Sequence, residues 1–493
     1  MPDTPAVNLS RRSFLAATIA AASSAPYAAA FGPTGPIDLS AQRAQRVIVI
    51  GAGVSGLAAA WTLHRAGHDV TVVESRTRPG GRVHTIRDPF ADDLYAEAGA
   101  MFTGGPYVMR YVKAFGLTLV PPAGPEATTF RIGDTRLRVG PDTESVSWPM
   151  ALEPHERART GRELAGMYLG PVFAEIGNPT DPDWPGPAAR QYDRLSLDAL
   201  LERRGASPGA RALMRLSVFD LFGDGIGTVS ALLYLRDMVL MSSGGVGVFD
   251  GGSDQLPEAF AQRLGSSIQY GCVVRRAAQS ERGVSVTIEQ YGVQHQIEAD
   301  RLICTVPLSV MDQITFSPAL PEDKLTLIQT LPYSSITRVY LQTRRRFWED
   351  DGASGVAYTD GVIPRVLVHP MARATSRGIL EAHFGKATAR TLAEMDEQDR
   401  VAFAASHLES IHPGLKAHAE GGTSHSWVND PWTRGGYSSP SPGMLLDSLR
   451  IGARAAGRFH FAGEHTSRYS ASLEGAIESG ERAAQEVMNA VAP

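Results

Sequence analysis

Hydrophobic positions along this chain follow two rhythms. Val47-Ile48-Val49-Ile50 is an unbroken apolar run of strand length, the pattern of a strand covered on both faces of a parallel sheet. Residues 57–66 carry a helical pattern closed by Gly67, and Asp69-Val70-Thr71-Val72-Val73-Glu74 is a second strand that ends on an acid. These three pieces make a complete strand–helix–strand opening unit. Further strands are expected at 270–275, 284–289, 302–306 and 336–342, one more within 375–384, and a last at 459–463. Helical patches occupy 195–203, 228–241 and 474–490, the last beginning its run at Ser472, while 171–187 reads as a proline-dense loop. There is no internal repeat. The alternation predicts an α/β fold.

Composition narrows the picture without changing it. At 493 residues and 43% hydrophobic content the chain is long enough for two or three domains with cores of their own. With a net charge of −5, no basic excess marks a nucleic-acid partner or an anionic membrane. Cys272 and Cys304, the two cysteines, sit in apolar stretches and read as buried free thiols; no CxxC or Cys/His cluster suggests a metal. Ser10-Arg11-Arg12-Ser13-Phe14-Leu15 is a twin-arginine pattern, followed by an apolar alanine-rich run and by Ala28-Ala29-Ala30 as a small-residue cleavage site. The expectation is a signal peptide over 1–30 and a mature protein in the periplasm or secreted. No later stretch is long and apolar enough to span a membrane.

The chemistry begins at Gly51-Ala52-Gly53-Val54-Ser55-Gly56. A GxGxxG is weak alone, but here it stands between a strand and a helix. Gly51 allows the tight turn, Gly53 lets a pyrophosphate approach the backbone, and Gly56 lets helix and strand pack closely. The helix N-terminus offers free N–H groups and partial positive charge to the phosphates. Glu74, at the end of the second strand, is placed to accept hydrogen bonds from ribose hydroxyls, which disfavours a 2′-phosphate. Arg78-Pro79-Gly80-Gly81-Arg82-Val83 follows. Its glycines clear space and Arg82 can pair with a diphosphate.

From Glu74 to Val83 the chain resembles the signature of the flavin-containing amine oxidases, the family of monoamine oxidase, polyamine oxidase and secreted L-amino-acid oxidases. Further matches follow in order: Asp250 to Leu256, Val274, Phe347-Trp348-Glu349-Asp350, Trp427 with Gly435-Gly436-Tyr437, Phe461-Ala462-Gly463-Glu464, and Leu473 to Gly480. The resemblance implies a Rossmann-like FAD-binding domain with an inserted α+β substrate-binding domain. The FAD domain is expected in three parts, 43–100, 245–310 and 456–493. The substrate domain is expected in two, 101–244 (mainly helical) and 311–455. FAD is expected without a covalent link, because Gly436 stands where covalent members carry a cysteine. Implied cofactor contacts are Gly51, Gly53, Gly56, Glu74, Gly81, Arg82, the Gly99-Ala100-Met101 loop, Val274, Gly463, Glu464 and Leu473.

Three departures from the family pattern shape the functional reading. Tyr437 fits one ring of the family's aromatic cage, but Ser472 stands where the second belongs. Phe102 occupies the position at which amino-acid oxidases clamp the substrate carboxylate with an arginine. Arg338 replaces the lysine that holds a water at flavin N5. Arg338 and Tyr437 are therefore the candidate catalytic residues, and Phe102, Tyr437 and Ser472 the candidate substrate contacts. The expected reaction is oxidation of a C–N bond in a small-molecule amine to an imine, which hydrolyses to a carbonyl, with oxygen or another acceptor reoxidising the flavin. An L-amino-acid oxidase, a desaturase or dehydrogenase acting on C–C or C–O bonds, and a flavin-binding protein without catalysis remain open alternatives. The oligomeric state, a homodimer included, is also open. No histidine is assigned a role.

Overall fold

The computed structural model describes residues 44–490, apart from 123–126, 142, 144–145, 182, 219–222, 242–245 and 370–374. The twin-arginine motif and the rest of the expected signal peptide lie outside the described residues. No helix among the described residues is long and apolar enough to cross a membrane.

The opening apolar run becomes the strand Arg46–Ile50, central in a five-stranded parallel sheet. Asp69–Val73 and then Ile268–Gln269 lie on one side of it, Arg301–Cys304 and then Phe459–Phe461 on the other. Its alternate residues feed two different cores, which is why no polar position interrupts the run. Val47 and Val49 pack with the helix Val54–Arg65 and the last helix, Leu473–Asn489. Ile48 and Ile50 pack towards a second sheet, built on Val273–Ser280, Gly283–Gln290, Val293–Ala299 and Thr315–Ser317. The two helices cross closely at Gly480, where a Cβ would stand 2.2 Å from the Ser55 carbonyl oxygen. The helix Pro106–Phe115 joins the same core through Val108, Tyr111 and Val112, although it lies past residue 100.

The inserted domain has a seven-stranded sheet. Its order is Ala419–Ser426, Ile336–Thr343, Gly378–Gly385, Arg365–Val368, Ala353–Thr359, Ala127–Ile132, Thr135–Val139. One face, with Val339, Leu341, Leu380, Ala382 and Phe384, is covered by the helices Lys386–Ala393 and Glu397–Ile411. The opposite face presents Arg338, Tyr340, Glu381 and His383 towards the domain of the five-stranded sheet, as strand alternation requires. A helical group with its own core completes the molecule, including Gly161–Glu175, Leu197–Arg203 and Ala231–Met241.

One local expectation is corrected. The proline-dense loop begins after Glu175, because Pro171 lies inside the helix Gly161–Glu175. That helix starts at a capping box, with the Thr160 side chain accepting from Glu163 N and the Glu163 carboxylate accepting from Thr160 N. Buried Leu164, Leu169 and Val172 hold it against the helical core despite the missing donor.

Candidate functional site

A cavity of about 2270 Å³ runs between the two domains. Its lining includes the glycine turn, Glu74, Gly81, Arg82, the Gly99–Met101 loop, Val274, Gly463, Glu464 and Leu473. Of the expected cofactor residues, only Gly56 is not in the wall; it supports the turn from behind.

The turn is shaped by close approach. At Gly56 a Cβ would lie 2.0 Å from the Gly51 carbonyl oxygen, and at Gly51, whose φ is +101°, it would lie 2.6 Å from Thr305 Oγ1. At Gly53 a Cβ would meet no protein atom within 4 Å, so this position opens on the cavity. The helix that starts there has no side-chain cap and no acid in its first turn. Its free N–H groups therefore suit an anionic ligand group. Glu74 is buried, with Oε2 accepting from Ala52 N (2.7 Å) and Oε1 from Arg76 N (2.8 Å). The carboxylate is fixed in the cavity wall, which Val274 also lines. An uncapped helix start at an open glycine and a buried acid beyond it, all in one cavity wall, together fit a dinucleotide cofactor.

Arg82 crosses from this loop to the other domain. Its Nη1 donates to the Gly436 carbonyl (2.8 Å) and to Glu464 Oε1 (2.9 Å). Glu464 also accepts from Ser438 N, Ser438 Oγ and Ala471 N. Burial alone would raise this carboxyl, but the Arg82 charge, with His465 and the hydrogen bonds, holds it down at about 2. Its side chain is thus committed to joining three segments, and it reaches the cavity as part of the wall.

Another part of the wall is built on the seven-stranded sheet. Ile336, Arg338, Leu367, His383, Trp427 and Tyr437 line it. Trp427 is buried and its Nε1 donates to the Ala98 carbonyl at 2.6 Å, which fixes the loop carrying Gly99, Ala100 and Met101. Arg338 is partly buried, its side chain 13% exposed. Its Nη1 donates to the Glu97 carbonyl (2.8 Å), and its Nε lies 3.5 Å from Glu381 Oε1. The Arg338 cation therefore has a resident counter-ion. Tyr340 donates to the same Glu97 carbonyl at 2.8 Å.

Ser472 caps the last helix: its Oγ accepts from Gly475 N (3.0 Å) and donates to the Tyr469 carbonyl (2.5 Å). Tyr469, three residues earlier, meets Tyr107 edge to face at 6.2 Å, and both rings line the cavity. This aromatic pair was missed in the sequence because Tyr107 and Tyr469 are so far apart along the chain. Phe102 lines the cavity and is 47% exposed. Also unforeseen is the cluster behind Arg338. Glu381 is fully buried and accepts from His369 Nε2 (2.9 Å) and His383 Nδ1 (3.0 Å). Burial would raise its carboxyl, yet the Arg338 charge and the two imidazole donors keep it well below the ordinary range.

A glycine turn opening on an interdomain cavity, whose wall also carries an aromatic pair and a paired arginine, fits a flavin-dependent oxidoreductase. The chain belongs to the flavin-containing amine oxidoreductase family, whose model matches residues 54–488. YobN of Bacillus subtilis (strain 168), named only provisionally as an L-amino-acid oxidase, is 30% identical over 91% of this chain and 95% of its own length. The L-amino acid oxidase Lm29 of Lachesis muta is 28% identical over 90% of this chain and 87% of its own. Among solved structures, wild-type putrescine oxidase bound to putrescine superposes with a TM-score of 0.76 at 24% identity, over 90% of this chain and 99% of that one. Cyclohexylamine oxidase from Brevibacterium oxydans IH-35A gives the same figures. These two likenesses establish the shared α/β fold.

Proposed function

We propose that the protein is an exported oxidase that uses non-covalent FAD to oxidise an amine, in preference to a free α-amino acid, to an imine that hydrolyses to a carbonyl product. The observation that carries the choice of substrate is the charge state of the cavity wall on the seven-stranded sheet. A buried carboxylate needs a cation of its own, and leaving it unpaired costs several kcal/mol. Phe102 supplies none, and Arg338 is already neutralised by Glu381. A neutral amine, the form that is oxidised, asks for no such partner. When bound, FAD accepts the α-carbon hydrogen and its electron pair. The chain's own residues hold the cofactor (Glu74, Arg82 and the glycine turn) and shape the substrate end (Trp427, Tyr437, Phe102).

Steady-state assays with twenty L-amino acids and a panel of alkyl and aralkyl amines test this. The expected result is a higher kcat/KM on an amine than on any amino acid; the reverse order would make the protein an L-amino-acid oxidase, like the relatives named above. A non-covalent cofactor is supported at Gly436, which carries no side chain to form a link and where a Cβ would lie 2.5 Å from Ile336 Cδ1. Cys272 lines the cavity beside Glu74, where its backbone N donates to the Glu74 carbonyl at 2.8 Å. Acid precipitation should give a colourless pellet and a yellow supernatant; a yellow pellet overturns the non-covalent assignment. Export by the twin-arginine route rests on residues 10–15. Arg11→Lys with Arg12→Lys should trap an uncleaved form inside the cell.

A further inference from the structure

The seven-stranded sheet holds two histidines on one buried carboxylate, and their surroundings differ. His369 is 1% exposed and used at both nitrogens: Nε2 donates to Glu381, and Nδ1 accepts from Glu97 N at 3.4 Å. It is a strut. Among the described residues His383 is held through Nδ1 alone, and it lines the cavity. His383 and Arg338 are direct cross-strand partners, as are His383 and Arg365 on the other side. Such neighbours share a face of the sheet with Cβ atoms roughly 5 Å apart. His383 therefore stands beside the position where the family resemblance implies a water-holding lysine and this chain has an arginine paired with Glu381.

The geometry also fixes the tautomer. Glu381 is ionised and can only accept, so Nδ1 of His383 carries the hydrogen and donates it. In the neutral imidazole the lone pair is then on Nε2, for which no protein partner exists among the described residues. We propose that His383 is the proton acceptor of the site, its Nε2 taking the proton from the ammonium form of the substrate while Glu381 holds the ring. The inference rests on the amine reading above. The N–H bond of the ammonium breaks, its electron pair stays on nitrogen, and the proton ends on Nε2. The free amine is then the species whose α-carbon can be oxidised, and the imidazolium is stabilised by Glu381 until its proton returns to water.

The charges facing His383 are Arg338 and Arg365 from the adjacent strands and Glu381 from its own, with His369 and Glu97 behind them. Burial lowers the pKa of the ring below 6.5, the Glu381 hydrogen bond raises it, and the two arginines lower it further. The ring is consequently neutral and able to accept at neutral pH.

The test is anaerobic stopped-flow reduction of the flavin by the best amine between pH 4.5 and 8, for wild type and His383→Asn. Asparagine can still donate to Glu381 but offers no basic nitrogen. The wild type should show an acid limb below pH 6.5. The variant should lose that limb, with reduction slowed at least roughly 100-fold at pH 7, as expected for loss of a general base. A second readout is binding of an amine that lacks an α-hydrogen, followed by flavin absorbance. Its affinity should weaken below pH 6.5 in wild type and stay level in the variant. If His383→Asn fails to retain flavin, His383→Gln is measured in its place. A wild type without the acid limb, a variant that keeps it, or reduction within tenfold of wild type overturns the assignment. A wild type that no amine reduces instead overturns the amine reading, and this inference with it.

Discussion

Glu464→Gln tests how far the two domains depend on one buried carboxylate. The Glu464 side chain is 6% exposed and receives four donors: Arg82 Nη1 and Ser438 N on Oε1, Ser438 Oγ and Ala471 N on Oε2. Glutamine has nearly the same shape but one acceptor oxygen, so an amide N–H group must face donors on one side. Two routes give the size of the effect. The carboxyl is held at about 2 against an ordinary 4.5, a difference worth about 3 kcal/mol. Breaking a buried ion pair by removing one partner costs about 3–5 kcal/mol. The agreement matters because a protein's whole stability is only about 5–15 kcal/mol. Because the folded-state value is depressed, this stability is complete above pH 4.5 and is lost as pH falls through about 2. Urea unfolding followed by tryptophan fluorescence, at saturating flavin and at several pH values, should show the variant about 3 kcal/mol weaker. The gap should hold constant from pH 8 to pH 5 and begin to close below 4.5. A gap under about 1 kcal/mol at pH 7, or one that already shrinks between pH 8 and 6, would refute the account of Glu464 as a charged tie.

Two glycines in one turn should fail differently. Gly56→Ala pushes a Cβ to 2.0 Å from the Gly51 carbonyl, so both flavin affinity and the stability of the flavin-free protein should fall, the latter by about 1–3 kcal/mol. Gly53→Ala meets no protein atom within 4 Å, so only flavin affinity should fall; equal melting losses for the two variants would contradict the assignment of Gly53 to the ligand face. Lys324 is buried, donates to the Ile451 and Gly452 carbonyls (2.6 and 2.9 Å), and lies 4.0 Å from the centre of the Phe461 ring. Burial, with the Arg454 charge, lowers its amine to about 8 from 10.5. Between those values the unfolded chain binds more protons, so stability should rise with pH from 8 to 10.5 by up to about 3 kcal/mol, and Lys324→Met should abolish the slope.

The parts of the fold that could be read from the sequence are those where local pattern and tertiary environment agree. Val47 to Ile50 is apolar throughout because both faces of its sheet are covered, and the glycine turn announces itself through its neighbours in the chain. The strand Thr135–Val139 was not legible, since TRLRV is mostly exposed and gains its partner only at the sheet edge. The helix Gly161–Glu175 had a readable start in Thr160 and Glu163, but Pro171 outweighed it in a reading that treats proline as a stop.

The histidine–carboxylate cluster was hidden for a different reason. Gly378–Gly385 reads as a strand, and its alternation already separates Ile379, Glu381 and His383 from Leu380, Ala382 and Phe384. Alternation usually places such polar residues in water, which is the ordinary explanation of a Glu-x-His pair in a strand. Here the strand lies inside a seven-stranded sheet whose second face is closed by the other domain, so the polar row is buried and must be paired within itself. The partners arrive by register: Tyr340 opposite Glu381, Arg338 opposite His383 and, across the next strand, His425 opposite Arg338. A shift of one residue would turn Arg338 into the apolar core occupied by Val339. The sequence shows a charged residue in place of a lysine at 338; only the register shows that its charge is already balanced and that the titratable group facing the cavity is its neighbour.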